Sequence, residues 1–439
     1  MPICLTSTGE EFFLEDDGLR ERAILVSVRW GDSRQDEAEI VLDELRSLAE
    51  TAGAEVVHTV LQTRHRPDAA TLLGKGKLKE LYDVAAAKEA DLVVFDQDLT
   101  PSQQRNLENE LHLKVVDRTA LILDIFALHA HSKEGKAQVE MAQSRYRLTR
   151  LTGKGSELSR LGGGIGTRGP GETKLEVDRR RINARIKTLD RELKDLSRIR
   201  KVKRKRRERL SIPSFSLVGY TNAGKSSLLN ALTKAGTAVE DQLFTTLDPT
   251  TRRILLPGNF RAVITDTVGF INHLPHHLIE AFKSTLEEVR EADVLLHVID
   301  STSPVIDERI AAVEEVLEEI GALDLPTIYV LNKVDLLGEE EAEDLLESYP
   351  HAVMVSAVRG DCLDQLRERM SSALSSMRSD RFLIPYHRPD LLALAYKQGH
   401  VVDSRPLENG YCLTAEIPES LYSRFREYII NDQSNSRKR

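Results

Sequence analysis

The sequence has little of what secreted or membrane-spanning proteins need. Its three cysteines, Cys4, Cys362 and Cys412, are far apart, odd in number and without zinc-ligand spacing, which favours a reducing, cytoplasmic compartment over a disulfide framework. No apolar run approaches the length of a membrane span, since runs such as VLLHVI are only strand-sized. The N-terminal segment MPICLTSTGEEFFLEDDG has no positive region followed by an apolar one, so we expect no signal peptide.

Lys and Arg outnumber Asp and Glu in one long segment, whereas acidic residues predominate in the rest of the chain taken together. The chain of 439 residues has a formal net charge of −9. Residues 133–209 nevertheless contain 25 Lys and Arg against 10 Asp and Glu, whereas the rest of the chain contains 36 against 60. Such asymmetry indicates that the basic segment meets a polyanion. Its densest part, RIRKVKRKRRERL (198–210), has little compensating acid, which favours contact with phosphate backbones over a merely solvated helix face. It also has no interleaved aromatic residues, which argues against stacking on unpaired bases.

The alternation of short apolar segments with amphipathic ones predicts a multidomain α/β protein. Strand-like RAILVSVRW and helix-like AEIVLDELRSLAETAG begin one such series, and PSFSLVG and KSSLLNALT begin a second. We predict five parts: a mobile N-terminus (1–20), a parallel-sheet α/β domain (21–125), a projecting basic helical hairpin with a Gly-rich tip (126–210), a second, P-loop α/β domain (211–378), and a small C-terminal α+β domain with a disordered end (379–439).

A heptad pattern supports the hairpin. Apolar residues recur in steps of four and three at Ile182, Ile186, Leu189, Leu193 and Leu196. A helix-prone basic segment, 133–150, precedes the Gly-rich loop, so two helices joined by this loop are expected to share one apolar seam.

The loop itself contains GIGTRG (Gly164–Gly169), which fits the dinucleotide pattern G-x-G-x-x-G, with Asp190 at the spacing of a ribose ligand. A dinucleotide loop must lie between a buried strand and a helix of a βαβ unit. Here the preceding segment is basic and the following helix is too long and polar. We therefore reject a dinucleotide site, and an exposed helix–helix turn or a ligand-reading loop remains.

A phosphate-binding motif lies further along, between the strand FSLVG and a helix. GYTNAGKS fits G-x-x-x-x-G-K-[ST], whose backbone amides cradle phosphates, whose lysine contacts the β- and γ-phosphates and whose Ser hydroxyl ligates Mg²⁺. The eight positions are Gly219, Tyr220, Thr221, Asn222, Ala223, Gly224, Lys225 and Ser226.

Three further motifs follow at strand ends, where α/β sheets bind ligands. In DTVG, Asp266 is suited to hold Mg²⁺ through water and the Gly269 amide to sense the γ-phosphate. In NKVD, the Asp335 carboxylate is suited to accept two protons that guanine offers and adenine lacks. In SAV (Ser356–Val358), a backbone amide is suited to bind the guanine O6. The order of the four motifs predicts a GTP-binding domain.

Two positions bear on hydrolysis. The segment FTTLDPTTRR (Phe244–Arg253) offers Thr245, Thr246, Thr250 and Thr251 as candidates for the threonine that completes the Mg²⁺ shell. Phe270 follows DTVG where many GTPases have a Gln that orients water. Intrinsic hydrolysis should therefore be slow, and either a partner that reshapes the switch segments or K⁺ held near Asn222 is expected to help; His273 is more simply interpreted as a surface residue.

These motifs, together with LGGGIGTRGPGETKLEVDRRRI and DTVGFINHLPHHLIEAF, closely resemble the HflX family of ribosome-associated GTPases over about residues 22–378. The resemblance implies Mg²⁺ ligands at Ser226 and Thr246, and catalytic roles for Lys225, Thr246 and Gly269. It implies nucleotide contacts beyond the phosphate loop at Phe244, Thr245, Thr246, Leu247, Asp248, Asp266, Thr267, Val268, Gly269, Asn332, Lys333, Val334, Asp335, Ser356, Ala357 and Val358.

The resemblance also implies a function. Members of the family bind the large ribosomal subunit, show ribosome-stimulated GTPase activity and are implicated in splitting or rescuing stalled ribosomes under stress. The Gly-rich tip, with Arg160, Arg168 and Lys174, is then expected to fit between RNA backbones. We expect a monomer off the ribosome.

The sequence leaves two other classes of protein to consider. One is an RNA-binding or RNA-remodelling protein whose N-terminal domain uses ATP, for which GKGK (Gly74–Lys77) is the only indication and lacks the full phosphate-loop pattern. The other is a membrane-associated GTPase, for which the sequence offers no anchor.

Overall fold

The fold is taken from a computed structural model of the chain. It describes residues 20–30, 35–151, 170–209, 212–233, 243–244, 246–257, 260–272, 286–375, 377–418, 422 and 424–430. Contacts divide the chain into two compact units. The first comprises Met1–Arg198, Glu240–Asp248 and His273–Ser284, and the second Ile199–Val239, Pro249–Asn272 and Thr285–Arg439.

The first unit contains a four-stranded parallel sheet in the order β2-β1-β3-β4. Its strands are β1 (Arg22–Trp30), β2 (Glu55–Arg64), β3 (Leu92–Phe95) and β4 (Lys114–Asp117). The helices between and after them are α1 (Gln35–Thr51), α2 (Lys75–Ala87), α3 (Pro101–Leu111) and α4 (Arg118–His129). Val26, Val93 and Phe95 of the central strands pack with Leu81 of α2 and Leu107 of α3, as the apolar runs predict.

Helix α4 was not predicted from the sequence. It begins directly after β4, where Asp117 caps it by accepting a hydrogen bond from Ala120 N (2.9 Å). Eight of its residues are buried, so it lacks the polar face that marks an amphipathic helix. It also crosses position 125, where the hairpin was expected to begin. The predicted boundaries between the parts stay a prediction.

Two further helices of this unit form the hairpin: α5 (Lys133–Arg150) and α6 (Pro170–Arg209), whose last residues belong to the second unit. Leu189, Ile186 and Leu193 of α6 pack against Ala137 and Met141 of α5. This packing confirms the shared apolar seam that the heptad spacing predicts.

The C-terminal end of α5 is fixed to the sheet. Arg150 donates to Leu99 O (2.9 Å) and forms an ion pair with the buried Asp117, and its guanidinium lies 3.6 Å from the centre of the Tyr146 ring. Burial raises the pKa of Asp117, whereas the Arg150 charge lowers it. The pair keeps α5 on the carboxyl edge of the sheet.

The second unit contains a six-stranded sheet in the order β10-β9-β8-β5-β7-β6. The strands are β5 (Ser214–Val218), β6 (Thr250–Leu256), β7 (Phe260–Asp266), β8 (Val294–Asp300), β9 (Thr327–Asn332) and β10 (Val353–Met354). The helices include α7 (Lys225–Thr233), α8 (Ile306–Glu319), α9 (Glu339–Ser348) and α10 (Leu363–Ser375). All neighbours are parallel except β6 and β7. The antiparallel β6 was not predicted, because TTRRILL exposes most of its side chains and reads as a loop.

A separate three-stranded antiparallel sheet, in the order β11-β13-β12, follows in the second unit. It consists of β11 (Met377–Ile384), β12 (His400–Leu407) and β13 (Gly410–Pro418), with α11 (Pro389–Gln398). Phe382 and Leu413 from the sheet pack with Leu391 from α11 and Phe425. The structure thus contains the predicted small α+β arrangement.

Candidate functional site

The phosphate loop connects β5 to α7 through two glycines in left-handed conformations. Gly219 has φ +148° and Gly224 has φ +88°. A Cβ atom at Gly219 would collide with the Val298 carbonyl oxygen, and one at Gly224 would collide with the Asn332 side-chain amide. Only glycine fits both the torsion angle and the space, which explains the glycine positions of the motif.

Lys225, the lysine of the motif, begins α7 and lies across this loop. Its ammonium donates to Gly219 O (3.0 Å) and Tyr220 O (2.8 Å), and the residue is 6% exposed. Burial lowers the pKa of Lys225 to about 8, although the nearby Asp266 carboxylate opposes the shift. The cation is therefore held at the loop without a surrounding shell of water, as a phosphate-binding lysine requires.

Ser226 and Asp266 meet at the ends of α7 and β7. Ser226 Oγ donates to Asp266 Oδ2 over 2.6 Å, and Asp266 is buried. A hydroxyl and a carboxylate are the hard oxygen donors that Mg²⁺ prefers, so this pair fits that ion. The neighbouring Thr267 hydroxyl instead donates to Leu217 O (2.6 Å), so the Thr267 side chain serves the sheet.

The DTVG segment is hydrogen-bonded to the phosphate loop through the residue that follows it. Phe270 N donates to Gly219 O (3.1 Å), and Thr221 N donates to Phe270 O (2.7 Å). Gly269 lies so close that a Cβ atom there would be 2.8 Å from Thr221 Cα and 3.0 Å from Lys225 Nζ. Val268 and Phe270 are buried. The backbone of residue 269 is thus next to the lysine, where a γ-phosphate sensor must lie.

Asn332 joins three of the predicted motifs. Its Nδ2 donates to Ala223 O in the phosphate loop (2.9 Å), and its Oδ1 accepts from Ala357 N in the SAV motif (3.0 Å). The SAV turn is closed by Ser356, whose Oγ accepts from Arg359 N (3.0 Å), and Val358 is 84% exposed. The structure therefore brings these strand ends together at one edge of the sheet.

The remaining residues of NKVD point to the base site. Val334 and Asp335 lie in a short 3₁₀ helix (Val334–Leu336), after Lys333 in a left-handed conformation with φ +69°. The Asp335 side chain is 12% exposed, and Arg359 Nε lies 3.8 Å from its Oδ2. The Asp335 carboxylate is thus largely buried on the SAV side of the loop, where it is suited to accept hydrogen bonds from a guanine base.

Asp300 is a residue of this site that the sequence analysis missed. It ends β8 and accepts from Lys333 Nζ (2.9 Å), which fixes the lysine of NKVD. Burial raises the pKa of Asp300, but the hydrogen bonds from Lys333 and Thr302 outweigh it and the pKa is lowered. Its position at the carboxyl end of a central strand was the available signal.

The segment Phe244–Asp248 belongs by its contacts to the first compact unit, whereas the four other motifs belong to the second. Phe244 and Leu247 are buried and Thr246 is half-buried. Thr245 lies outside the described residues. So do residues 152–169, with Arg160 and Arg168, and residues 273–285 after DTVG; the side chains of Lys174 and of residues 200–209 are also outside the description.

The GKGK segment has the features of an ordinary helix start. Gly74 caps α2, and its amide donates to Gln62 Oε1 (3.0 Å). Lys77 forms an ion pair with Glu80 (2.7 Å), one turn along the same helix. These local contacts give the ATP-using alternative no support.

The phosphate loop, the Ser226–Asp266 pair and the guanine-type motifs at one sheet edge define a P-loop GTPase. Its sequence is 49% identical over 413 residues to GTPase HflX from Caldanaerobacter subterraneus, with 94% of each chain covered, and 45% identical over 359 residues to GTPase HflX from Escherichia coli K12, with 81% and 83% covered. The chain belongs to the HflX family of GTPases.

Family profiles agree with this assignment along the chain. The profile described as GTP-binding GTPase N-terminal matches residues 39–127, GTP-binding GTPase Middle Region matches 129–207, and 50S ribosome-binding GTPase matches 214–333. Among solved structures, the SsGBP–GDP complex is 28% identical with a TM-score of 0.45, covering 81% of this chain and 98% of its own. None of the helices in the described ranges combines the length and apolar character of a membrane span.

Proposed function

We propose that this GTPase binds the large ribosomal subunit, hydrolyses GTP faster when bound there, and splits or rescues stalled ribosomes under stress. The observation that carries the proposal is the α5–α6 hairpin of an otherwise acidic chain. Along α6, exposed cations include Arg179, Arg181, Lys187 and Arg191. A long helical arm with such a surface suits phosphate backbones of RNA. The profile name 50S ribosome-binding GTPase, matched by residues 214–333, supports the same partner.

Nucleotide and Mg²⁺ are proposed to bind as the family motifs imply. Ser226 and Thr246 would hold Mg²⁺ directly and Asp266 through water, and the ion would neutralise charge on the β- and γ-phosphates. Lys225 contributes a second positive charge, and the Gly269 amide binds the γ-phosphate. The Asp335 carboxylate accepts hydrogen bonds from the N1–H and 2-amino groups of guanine. Adenine has neither donor, so ATP would leave a largely buried carboxylate without its partners.

Slow intrinsic hydrolysis follows from Phe270, which cannot orient water. We propose that ribosome binding reorders the two switch segments, Phe244–Asp248 and Asp266–His277, and so supplies the missing alignment. Asn222 is exposed in a left-handed conformation with φ +59°, a position from which its amide oxygen would ligate K⁺. Intrinsic turnover in KCl should then exceed turnover in NaCl, and equal rates would remove the K⁺ site.

The main test is sedimentation of the protein with ribosomes in the presence of GDP or a non-hydrolysable GTP analogue. Co-migration with the large subunit only with the analogue is expected, together with hydrolysis that rises on adding large subunits. Lys225→Ala should abolish the stimulated hydrolysis. If the protein migrates separately from ribosomes both with GDP and with the analogue, the proposal is rejected. In the absence of ribosomes, light scattering at the ionic strength of the cytoplasm should show that the protein is a monomer.

A further inference from the structure

The Asp248 carboxylate is held by three donors from the start of α5. Its Oδ2 accepts from Ser132 N (2.6 Å) and His131 N (3.1 Å), and its Oδ1 accepts from the Ser132 hydroxyl. All these residues belong to the first compact unit. Although Asp248 was predicted to contact nucleotide, its side chain is thus engaged by the hairpin.

Ser132 connects this carboxylate to the helix itself. While its hydroxyl donates to Asp248, the same oxygen accepts from Gly135 N (2.9 Å) as the N-cap of α5. A Cβ atom at Gly135 would collide with the Asp248 carboxylate, so glycine is needed for this approach. An anion at a helix N-terminus is also favoured by the free amides and the helix dipole. Asp248 is in effect a second cap of α5, contributed from 116 residues away.

A second contact holds the other end of the same short segment. Phe244 is 3% exposed, and its ring packs edge-to-face on Phe126 of α4 with the centroids 4.8 Å apart. Next to it, Leu243 N donates to Thr51 Oγ1 (3.3 Å). Thr246 therefore lies between two anchors, Phe244 and Asp248, and both are on the first unit.

Helix α5 is braced along its whole length. Glu140 forms a two-armed ion pair with Arg185 of α6 (2.5 and 2.6 Å), the apolar seam follows, and Arg150 fixes the last turn to the sheet. These contacts join α5 to α6 and to the sheet through packed side chains, so a force on the hairpin has a continuous path to the N-terminus of α5. Its 18 residues span about 27 Å.

We propose that Asp248 and Ser132 are positioning residues that couple the hairpin to the switch threonine, Thr246. When RNA binds the hairpin, the start of α5 moves Asp248. Asp248 in turn determines the position from which Thr246 ligates Mg²⁺. The coupling presupposes the proposed function, because it needs a ribosome-bound hairpin. It adds a specific route by which binding accelerates hydrolysis. If the same contact also positions Thr246 for binding of nucleotide and Mg²⁺, reciprocity between the two binding equilibria means that bound nucleotide alters the cap of α5.

Substitutions at Ser132 separate the link from the helix cap. Ser132→Asp keeps a good N-cap for α5 but places a carboxylate against Asp248, whose repulsion should detach it. Ribosome-stimulated turnover should fall about tenfold, a usual size for coupling between sites, while turnover without ribosomes stays within about twofold of wild type. Ser132→Thr retains the hydroxyl and should restore full stimulation.

Thr100→Ala is the matched control. Thr100 caps α3 in the same unit through a capping box with Gln103, so its loss weakens a helix start without touching the link. It should leave the stimulation unchanged. Wild-type stimulation in Ser132→Asp, or equal losses in the Asp and Thr variants, would overturn the coupling.

Hydrogen exchange tests the link without ribosomes. In wild type, a non-hydrolysable GTP analogue with Mg²⁺ should change the exchange rates of the amides at 132–136 by about fivefold or more, as expected when a helix cap is altered. In Ser132→Asp the analogue should leave these rates unchanged. Exchange that ignores the analogue in wild type would overturn the coupling even if ribosomes stimulate hydrolysis. Hydrolysis that ribosomes do not stimulate in wild type would reject the proposed function and, with it, the role of RNA in the coupling.

Discussion

Asn332 Oδ1 accepts a hydrogen bond from Ala357 N at 3.0 Å, and the same side chain donates from Nδ2 to Ala223 O at 2.9 Å. One buried amide therefore connects the phosphate loop to the NKVD and SAV segments. Since each of its two polar atoms has a backbone partner, removing the side chain leaves the buried Ala223 O and the half-buried Ala357 N without hydrogen bonds.

Asn332→Ala should weaken GDP binding by about 100-fold and lower the free energy of unfolding by about 2–3 kcal/mol, the usual cost of two orphaned polar groups. Fluorescent-nucleotide titration and denaturant unfolding measure the two effects. Asn183→Ala, on the exposed face of α6, removes a comparable side-chain bond to Arg179 O (2.9 Å) and should change neither. Intact GDP affinity in Asn332→Ala would show that the loops hold together without it.

Asp335→Asn should abolish the preference for guanine nucleotides. The asparagine can accept only one of the two guanine protons and brings an N–H against the other, so GTP affinity should fall about 100-fold or more without a gain for ATP. Isothermal titration with GDP and ADP measures the change. Arg359 is 63% exposed and only 3.8 Å from Asp335, so Arg359→Ala is the control and should alter affinity by less than about threefold. Tight ADP binding by wild type would contradict the assignment.

The parts of this site that were predictable from sequence are those set by local chemistry. Gly219 and Gly224 adopt left-handed torsion angles that the phosphate-loop pattern anticipates, and Lys225 and Asp335 each follow an apolar strand, so motif spacing predicts their place at this edge of the sheet. The packing of Ile186, Leu189 and Leu193 of α6 was equally predictable, because the heptad spacing identifies the face of the helix that packs on α5.

What was missed depends on tertiary contacts. Asp300 matters only because Lys333, 33 residues away, donates to it. The hydrogen bond from Ser132 to Asp248 likewise has no signal in FTTLD, where the family resemblance implies a nucleotide contact. Helix α4 was missed because burial removes the amphipathic period, and β6 because its exposed, polar side chains resemble a loop.

The pKa of Lys225 predicts how nucleotide affinity depends on pH. Phosphates bind the charged form of Lys225. Below about pH 8 the lysine is already protonated, whereas above that pH it must take up a proton when nucleotide binds. GDP affinity should therefore be independent of pH near pH 7 and should decrease above pH 8, by up to roughly tenfold for each pH unit. Titration calorimetry between pH 7 and 9 measures it, and Lys225→Ala reports any loss that comes from the nucleotide itself. Parallel curves for the two proteins would contradict the prediction.

The buried His297 predicts acid sensitivity of the second unit. Burial, with a smaller effect of the Lys225 charge, lowers the pKa of His297 to about 4, from 6.5 in its unperturbed form. The unfolded chain thus binds the proton more readily between these values. The contribution of neutral His297 to the free energy of unfolding should be fully present above about pH 6.5. It should be lost as the pH falls toward 4, at a cost of about 3 kcal/mol.

Denaturant unfolding of His297→Phe checks this assignment. The new ring retains the contact with Tyr329, whose ring centre lies 5.3 Å from that of His297, and it cannot titrate. The acid limb of the stability profile should be shallower than in wild type. Tyr329→Phe, which loses only the hydroxyl bond to Glu314 (2.8 Å), should keep the wild-type slope. An unchanged slope in His297→Phe would place the sensitivity elsewhere.

Phe270 predicts that restoring a glutamine after DTVG will not create a fast enzyme. The Phe270 side chain is 2% exposed, and its backbone is hydrogen-bonded to Gly219 O and Thr221 N, so residue 270 points its side chain into the protein rather than toward attacking water. Phe270→Gln should leave intrinsic hydrolysis within about threefold of wild type and lower the free energy of unfolding by about 1–3 kcal/mol, because it buries an amide. Phe270→Leu keeps the site apolar and should lose less stability at the same hydrolysis rate. Single-turnover hydrolysis and thermal unfolding of the two variants decide the matter: an increase of tenfold or more in Phe270→Gln alone would show that the side chain does reach the water, and that the bridge between Phe270 and the phosphate loop opens when GTP binds.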